Sequence, residues 1–390
     1  MRIAIAVLAG CTSMTIATPS TWAQDSTPPA APAPAPAPAP TPTWSVGGID
    51  FSGLIDGYYS GNFNNPASRQ NQLQNFDFNA NQFSLGMAKI SVAHAPDPIG
   101  FQVDLGFGKA FDWIHSTEPS GSNGYLRNIE QAYVSIKPPK AKGFEADFGQ
   151  FVTSAGAEVI ESMTNWNYSH SLLFAWAIPY YHFGLRTSMP LTKSFTGGVQ
   201  VVNGWNDTED NNTGKTFGFT GGYTKPKYTL YGNYYVGPEN VNTNVGWRNL
   251  IDANLVLTPS PKLNAYINYD YGQNRNAVAP EGSTHFTAGS LSRWQGVAVA
   301  AHYQATAKSA ITPRFEYFID PQGFSTGTAQ KLNEFTVTYE YKMVEGLLAR
   351  VEFRNDHSDK NFFDKDNNAA SEKNQPGVTV GMIAFFGPKR

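Results

Sequence analysis

The sequence predicts an all-β fold: a transmembrane antiparallel up-and-down β-barrel of about 16 strands, with short periplasmic turns and long external loops. Three observations predict it. Apolar and polar residues alternate through nearly every segment after Trp44. Short turns and long polar loops follow one another in strict alternation. No apolar run approaches the ~18–20 residues that a transmembrane helix needs, so any membrane crossing has to use strands.

Residues 1–23 are predicted to be an export signal. Arg2 precedes a short apolar run, and small residues occupy the positions expected before cleavage after Ala23. A second interpretation stays open, because residues 8–11 resemble a lipoprotein box in which Cys11 would be acylated. Cys11 is the only cysteine, so a chain cleaved after Ala23 has neither a disulfide nor a thiolate site.

Residues 24–43 form a Pro/Ala-rich stretch that is predicted to be a periplasmic linker. Repeated proline removes backbone donors and favours extended polyproline II at ~3.1 Å per residue, so neither helix nor sheet is expected. The linker is a simple spacer in one interpretation and a tether to the cell wall in another. The barrel is expected to occupy residues 44–390.

The composition argues against nucleic acid as a partner. Charged residues make up 15% of the chain and the formal net charge is −3, whereas nucleic-acid binding needs a basic stripe. Aromatic residues make up 14% of the chain, and those at strand ends are expected to form interfacial girdles against outer-membrane lipid. The examples are Tyr58, Tyr59, Trp205, Tyr271 and Trp294.

Connections between strands set the predicted strand number. Seven connections are short and rich in turn residues: 95–98, 138–140, 191–193, 224–227, 258–261, 307–309 and 344–346. Eight are long and polar: 60–79, 110–124, 153–179, 205–214, 237–246, 273–290, 320–331 and 357–375. Fifteen connections join sixteen strands, and an even number places both chain ends at the short-turn rim. A soluble Greek-key sandwich gives no reason for such sorting.

The hairpin at residues 334–356 shows what each face is expected to contact. A barrel turns its apolar face to lipid and its polar face to the lumen, whereas a soluble sandwich does the reverse. The residues expected to face lipid are Phe335, Tyr339, Leu347 and Phe353, and those expected to face inward are Glu334, Glu340, Arg350 and Arg354. The strand around residues 83–92 changes phase midway, so its facing is not assigned.

Charged residues of both signs are predicted to line the lumen. They are Arg186, Arg314, Glu316, Glu334, Glu340, Arg350, Glu352 and Arg354. A sixteen-stranded barrel is wide enough for a water-filled channel. In one interpretation these residues form ion pairs between neighbouring strands, and in the other their unpaired members produce a field that selects solutes by charge.

The third long loop, residues 153–179, is the longest and contains the apolar stretch 172–178. An external loop tip has little reason to be so apolar, so we expect this loop to fold into the lumen and narrow it. Glu158 and Glu161 would then oppose the arginines across a constriction and favour cations. The alternative is an external lid.

No catalytic or metal-binding constellation is evident, and we predict neither an enzyme nor a cofactor or metal site. The seven histidines are scattered without ligand spacing. The sequence also has neither a Gly-x-Ser-x-Gly elbow nor a phosphate-binding glycine loop. His182, near a predicted strand start, is the residue that a hydrolase at the barrel rim would use.

Four stretches resemble the OmpL-like β-barrel porin family: residues 149–158, 165–169, 178–186 and 202–205. The resemblance extends over about residues 49–386 and implies an outer-membrane porin of a Gram-negative cell. At His170 it leads us to expect an arginine.

From the wide lumen and this resemblance we predict passive diffusion of small hydrophilic solutes. Two other functions stay open: a substrate-selective channel for sugars or organic acids, and a non-conducting envelope or adhesion barrel. A homotrimer is also considered, because trimers are common among wide porins.

Overall fold

The computed structural model describes residues 44–118, 126–281 and 283–388. The predicted export signal, the acylation alternative at Cys11 and the predicted linker 24–43 lie outside the described residues and stay predictions. The barrel strands are β1 Ile49–Asn62, β2 Gln82–His94, β3 Ile99–Phe107, β4 Ile129–Ile136, β5 Glu145–Val152, β6 Tyr181–Pro190, β7 Phe195–Val202, β8 Thr216–Lys225, β9 Tyr228–Pro238, β10 Trp247–Ser260, β11 Leu263–Val278, β12 Thr287–Gln304, β13 Ser309–Asp320, β14 Gln330–Val344, β15 Leu347–Ser358 and β16 Asn374–Phe386.

These strands form one closed antiparallel ring. Each pairs with the next along the chain, and β16 pairs with β1 to complete the circle. In the hairpin of β14 and β15, Glu340 lies opposite Arg350 and Phe335 lies opposite Asn355. Closure gives every strand two hydrogen-bonding neighbours, as the water-free core of a bilayer requires. The predicted barrel and its strand number are confirmed.

The two faces of the hairpin are oriented as predicted. Phe335 and Tyr339 are 46% and 45% exposed on the outer surface, whereas Glu334 and Arg350 are 1% and 2% exposed on the inner side. The outward rows of the other strands are likewise apolar, as Val380 and Met382 of β16 show. Such an outer surface suits lipid and would be costly in water over so large an area.

The phase change in β2 is a β-bulge. Asp56 of β1 pairs with Met87, and the next residue, Gly57, pairs with Leu85, which leaves Gly86 without a partner. Odd-numbered residues therefore face outward before the bulge and inward after it. Leu85 is exposed on the outer surface, whereas Met87 and Lys89 are buried on the inner side.

The prediction of aromatic girdles is wrong for three of its five residues. Trp205 packs against the interior cluster, with its ring next to Trp294 and Arg248. Trp294 and Tyr58 are 1% and 3% exposed and face the interior. The Trp294 indole stacks on Phe324, with 5.0 Å between ring centroids, and its Nε1 donates to the Ala177 carbonyl at 3.0 Å. An aromatic ring packs equally well against lipid or against a filled lumen, so its position on a strand end does not decide its facing.

The loops at the rim opposite the short turns carry the remaining structure. They include the helices α1 Lys109–Ile114 and α2 Leu172–Trp176, and a small hairpin of Phe363–Lys365 with Asn368–Glu372. At the other rim, the strand Ser45–Val46 pairs with β1. Among the described residues, no helix has the length and apolar character needed to cross a bilayer.

Candidate functional site in the barrel interior

Residues 153–180, here called the lumen segment, lie inside the barrel. Ser154 Oγ donates to Asn233 of β9 at 2.6 Å, and the Gly156 amide donates to Asp252 of β10 at 3.0 Å. Farther along the segment, Tyr168 Oη donates to Asp56 of β1 at 2.7 Å. These contacts with the inner wall are incompatible with the external-lid alternative.

The apolar part of the segment forms α2, whose start is fixed by a carboxylate and a hydroxyl. Ser171 is the N-cap and accepts from the Phe174 amide at 3.0 Å. Glu316 of β13 accepts from the amides of Leu172 and Leu173 at 2.9 and 3.2 Å. The first amides of a helix have no intrahelical acceptors, so the barrel wall supplies them. The side chains of Leu172 and Leu173 are fully buried, as their apolar character predicts.

Arg314 of β13 is the centre of the largest ionic cluster. Its Nη1 donates to Glu158 at 2.9 Å and to the Ser169 carbonyl at 2.7 Å. Its Nε lies 3.3 Å from both Glu316 and Glu334. A buried guanidinium with these partners neutralises charge that would otherwise be costly away from water.

Three alternate residues of β15 hold consecutive parts of the lumen segment. Arg350 donates to the carbonyls of Asn165 and Asn167 at 2.6 and 3.0 Å. Glu352 accepts from the amides of Tyr168 and Ser169 at 2.6 and 3.0 Å, and Arg354 donates to the His170 carbonyl at 2.6 Å. Alternation along a strand places all three side chains on the inner face. The inner row of β15 therefore follows the segment in chain order.

Ion pairs between wall residues are also present, as one sequence interpretation expects. Arg350 Nη2 lies 2.6 Å from Glu340 on the neighbouring strand, and Arg354 binds Asp356 of its own strand through Nε and Nη2. Glu334 lies beside Arg314. Eight of the ten predicted lumen residues thus meet around the lumen segment: Glu158, Arg314, Glu316, Glu334, Glu340, Arg350, Glu352 and Arg354. Their role in solute passage stays a prediction.

Arg186 and Glu161 lie apart from that group. Arg186 pairs with Asp147 at 2.8 Å, and its guanidinium carbon lies 4.4 Å from the Phe151 ring centroid and 4.8 Å from that of Tyr133. Its two Nη atoms have no hydrogen-bond partner in the described part of the chain, so the aromatic faces provide much of the local stabilisation. Glu161 instead forms an ion pair with a lysine of β2.

That lysine, Lys89, is a residue which the sequence analysis missed. It is buried, and its Nζ lies 3.0 Å from Glu130 and 3.5 Å from Asp104 as well as beside Glu161. The bulge at Gly86 reverses the facing of this part of β2, which concealed Lys89 from the alternation. The pair Asp252 and Asp270 was also missed.

Asp252 and Asp270 lie directly opposite each other on β10 and β11. Both are buried, and their neighbours are amides rather than cations: Asn233 and Asn254 donate to Asp252 at 2.6 and 2.7 Å. Asn268 contributes a further bond to Asp252 at 3.1 Å. The alternation showed which residues of these strands are polar. It did not show the register of the two strands, so the contact between the two aspartates was not predicted.

Burial shifts the pKa of several groups in the loops. It lowers the pKa of His170 to about 4, so this imidazole is neutral at pH 7. It raises the pKa of Asp77 to about 7, an effect opposed by the positive charge of Arg354. Burial also raises the pKa of Asp207 to about 8, and the nearby carboxylate of Glu239 raises it further.

His182 is enclosed between a backbone carbonyl and an aromatic ring. It is fully buried, its Nδ1 lies 2.8 Å from the Gly204 carbonyl, and its ring stacks on Tyr235 with 5.0 Å between centroids. Within residues 44–118, 126–281 and 283–388, no group of three or more His, Cys, Asp or Glu side chains is arranged to hold a metal ion.

The sequence profile of one family, described as "Putative beta-barrel porin-2, OmpL-like", matches residues 48–386. The chain belongs to this family. It is therefore a porin of the bacterial outer membrane, and the family resemblance noted in the sequence is confirmed. A comparison with curated proteins finds no significant match.

Solved structures of outer-membrane proteins show the same fold at low identity. The anion-selective porin from Comamonas acidovorans has a TM-score of 0.57 at 10% identity, covering 87% of this chain and 99% of that chain. The channel DcaP of Acinetobacter baumannii gives 0.55 at 12% identity, with 89% and 99% covered. The trimer form of OmpT from Vibrio cholerae gives 0.55 at 12% identity, with 87% and 99% covered. These similarities establish the porin fold and leave the solute open.

Proposed function

We propose that this porin allows passive diffusion of small hydrophilic solutes through a water-filled lumen that the lumen segment narrows. The observation that carries the proposal is the span of the segment. Its contacts include Asn233 of β9 and Asp56 of β1, and these strands are half a turn apart in a ring of sixteen. A chain that touches opposite walls reduces the free cross-section of the barrel, so only small solutes are expected to pass.

The charge of the interior favours cations. Lys89 meets the carboxylates of Asp104, Glu130 and Glu161, so this cluster keeps a negative excess while those acids are ionised. The cluster around Arg314 also contains more acids than bases. This one guanidinium contacts three carboxylates, those of Glu158, Glu316 and Glu334. Fixed negative charge along a narrow route attracts cations and repels anions.

Single-channel recording and liposome swelling test the proposal together. Glu352→Ala removes the acceptor for the Tyr168 and Ser169 amides and is expected to admit larger sugars and to raise the conductance. The matched control is Glu372→Ala, because Glu372 lies on the exposed small hairpin and pairs with Lys365. A wild-type protein without conductance would favour the envelope or adhesion alternative. A Glu352→Ala variant with unchanged size exclusion would refute narrowing by the segment.

A selective channel is a second candidate, supported by an aromatic stack. Trp166 of the lumen segment is only partly buried and stacks on Tyr266 and His302, with 5.3 and 5.6 Å between ring centroids and 29° and 28° between ring planes. Aromatic faces in a lumen suit the apolar faces of sugar rings. Saturable block of the ion current by one sugar, lost in Trp166→Ala, would support this candidate over general diffusion.

We also propose a homotrimer, which the similarity to the trimer form of the Vibrio cholerae protein supports. We further propose that this porin is not an enzyme, which its membership of a porin family supports. Native mass spectrometry in detergent distinguishes a trimer from a monomer. A monomer that still conducts would refute the trimer and leave the diffusion proposal intact.

A further inference from the structure

The first long loop, residues 63–81, folds inward and packs on the lumen segment. Leu73, Phe76 and Ala80 are buried. The Phe76 ring meets the His170 ring edge-on, with 4.6 Å between centroids. The junction between the two loops is thus part of the interior, and its polar groups have limited access to water.

A cavity of about 20 Å³ lies at this junction. Its lining combines apolar side chains, including Phe76 and Ile160, with the polar side chains of Asp56, Asp77 and His170. A cavity needs roughly 10–15 Å³ to hold one water molecule, so this one has room for a single water or a single small ion.

Three atoms on this lining are acceptors without donors. Neither carboxylate oxygen of Asp77 has a hydrogen-bond partner in the described part of the chain, and neither has Nδ1 of His170. The other ring nitrogen of His170, Nε2, lies 2.7 Å from the Val159 carbonyl, which can only accept, and 3.0 Å from Asn165 Nδ2. The shorter contact assigns the proton to Nε2. A neutral imidazole that donates through Nε2 has a lone pair on Nδ1. The cavity therefore offers acceptors that lack donors.

The hydrogen-bond donors near the cavity do not satisfy these atoms, because they already donate to other acceptors. Asp56 accepts from Ser162 and from Tyr168 Oη. Arg354, whose positive charge acts on Asp77, is bound to Asp356 and to a backbone carbonyl. An ionised carboxylate that is buried and unpaired is strongly unfavourable, so Asp77 needs either a proton or a cation.

We propose that this cavity binds one small monovalent cation of ammonium or potassium size, held between Asp77 and His170. The single charge suits the site, because Asp77 is the carboxylate on the lining that lacks partners, and the described residues include no group of three or more His, Cys, Asp or Glu side chains arranged to hold a metal ion. The bound cation joins the first long loop to the lumen segment. This site is independent of solute diffusion, so failure of one proposal leaves the other intact.

Crystallography with rubidium is the direct test. Crystals of the wild-type protein grown in rubidium chloride are expected to show an anomalous peak beside the Asp77 carboxylate. Asp77→Asn keeps the shape of the side chain and is expected to lose the peak. The matched control is Asp320→Asn, because Asp320 is buried but accepts from the amides of Phe324, Ser325 and Thr326 and so needs no cation. A cavity holding only water, or a protonated Asp77 with no anomalous signal, would overturn the proposal.

Thermal unfolding in detergent provides a second readout that needs no crystals. A ligand that binds only the folded state raises Tm as its concentration rises. Ammonium chloride is expected to stabilise the wild type more than N-methyl-D-glucamine chloride at equal ionic strength. The difference between the two salts should disappear in Asp77→Asn and persist in Asp320→Asn. Equal responses of wild type and Asp77→Asn would contradict the cation site.

Discussion

The guanidinium of Arg314 and the carboxylate of Glu158 lie 2.9 Å apart and join the barrel wall to the lumen segment. Both side chains are almost fully buried, and both also bind backbone groups of the segment. The polar inner face of β13 to β15 therefore serves as a binding surface for the chain inside the barrel. Charged residues that one interpretation of the sequence assigned to an open channel have a structural task here.

Arg314→Met is expected to release the lumen segment, because it leaves Glu158, Glu316 and Glu334 buried without their common partner. Removing one member of a buried ion pair costs about 3–5 kcal/mol. The free energy of unfolding, measured in urea with the protein in detergent, should fall by an amount of this order. The control is Arg293→Met, since the side chain of Arg293 is exposed. Equal stabilities of the two variants would show that the cluster contributes little.

Removing an interior positive charge and removing interior negative charges are expected to change ion selectivity in opposite directions. Lys89→Met removes the cation shared by Glu130, Asp104 and Glu161, so the preference for cations should increase. The double variant Glu158→Gln, Glu161→Gln should decrease it. Reversal potentials across a planar bilayer under a potassium chloride gradient measure both effects, with Lys360→Met as an exposed control. Unchanged reversal potentials in both variants would place these clusters away from the ion route.

The sequence predicted the outer surface of the barrel better than its interior, for a physical reason. Lipid imposes one rule on every outward position, so the alternation around Phe335 and Tyr339 was sufficient to assign facing. The interior is filled by a chain whose contacts join residues far apart in sequence, such as Arg314 and Glu158. The apolar stretch 172–178 predicted that the segment turns inward, with an external lid as the alternative, but only the fold shows which wall residues hold it. The single-residue bulge at Gly86 also altered the facing of Lys89 without any composition change.

Gly272→Ala is expected to destabilise the barrel because β11 passes close to a buried indole. A Cβ at Gly272 would lie 2.0 Å from the Trp294 ring, which is enclosed and stacked on Phe324. Overpacking of this kind costs typically ~1–3 kcal/mol. The loss should appear as a lower urea midpoint in tryptophan fluorescence. Gly57→Ala is the control, because its Cβ would meet only the Ser84 carbonyl at an ordinary 3.6 Å.

Asp207 is expected to make stability depend on pH between about 4 and about 8. Burial raises the folded-state pKa of this loop carboxyl to about 8, whereas an unfolded aspartate titrates near 3.9. Between these values the folded protein binds more protons at Asp207 than the unfolded chain does, so this contribution to stability decreases as pH rises and levels off above pH 8.

Other groups that face Asp207 from its surroundings are Glu118, Asp210, Glu239 and Arg248, and they remain in place when only Asp207 is changed. Asp207→Asn should therefore flatten the pH profile of the urea midpoint relative to wild type, while Asp359→Asn, at an exposed loop position, should leave it unaltered. The neutral amide keeps an acceptor for Asn211, which donates to Asp207 at 2.6 Å. Parallel profiles for wild type and Asp207→Asn would mean that the carboxyl is ionised in the folded protein, with the positive charge of Arg248 outweighing its burial.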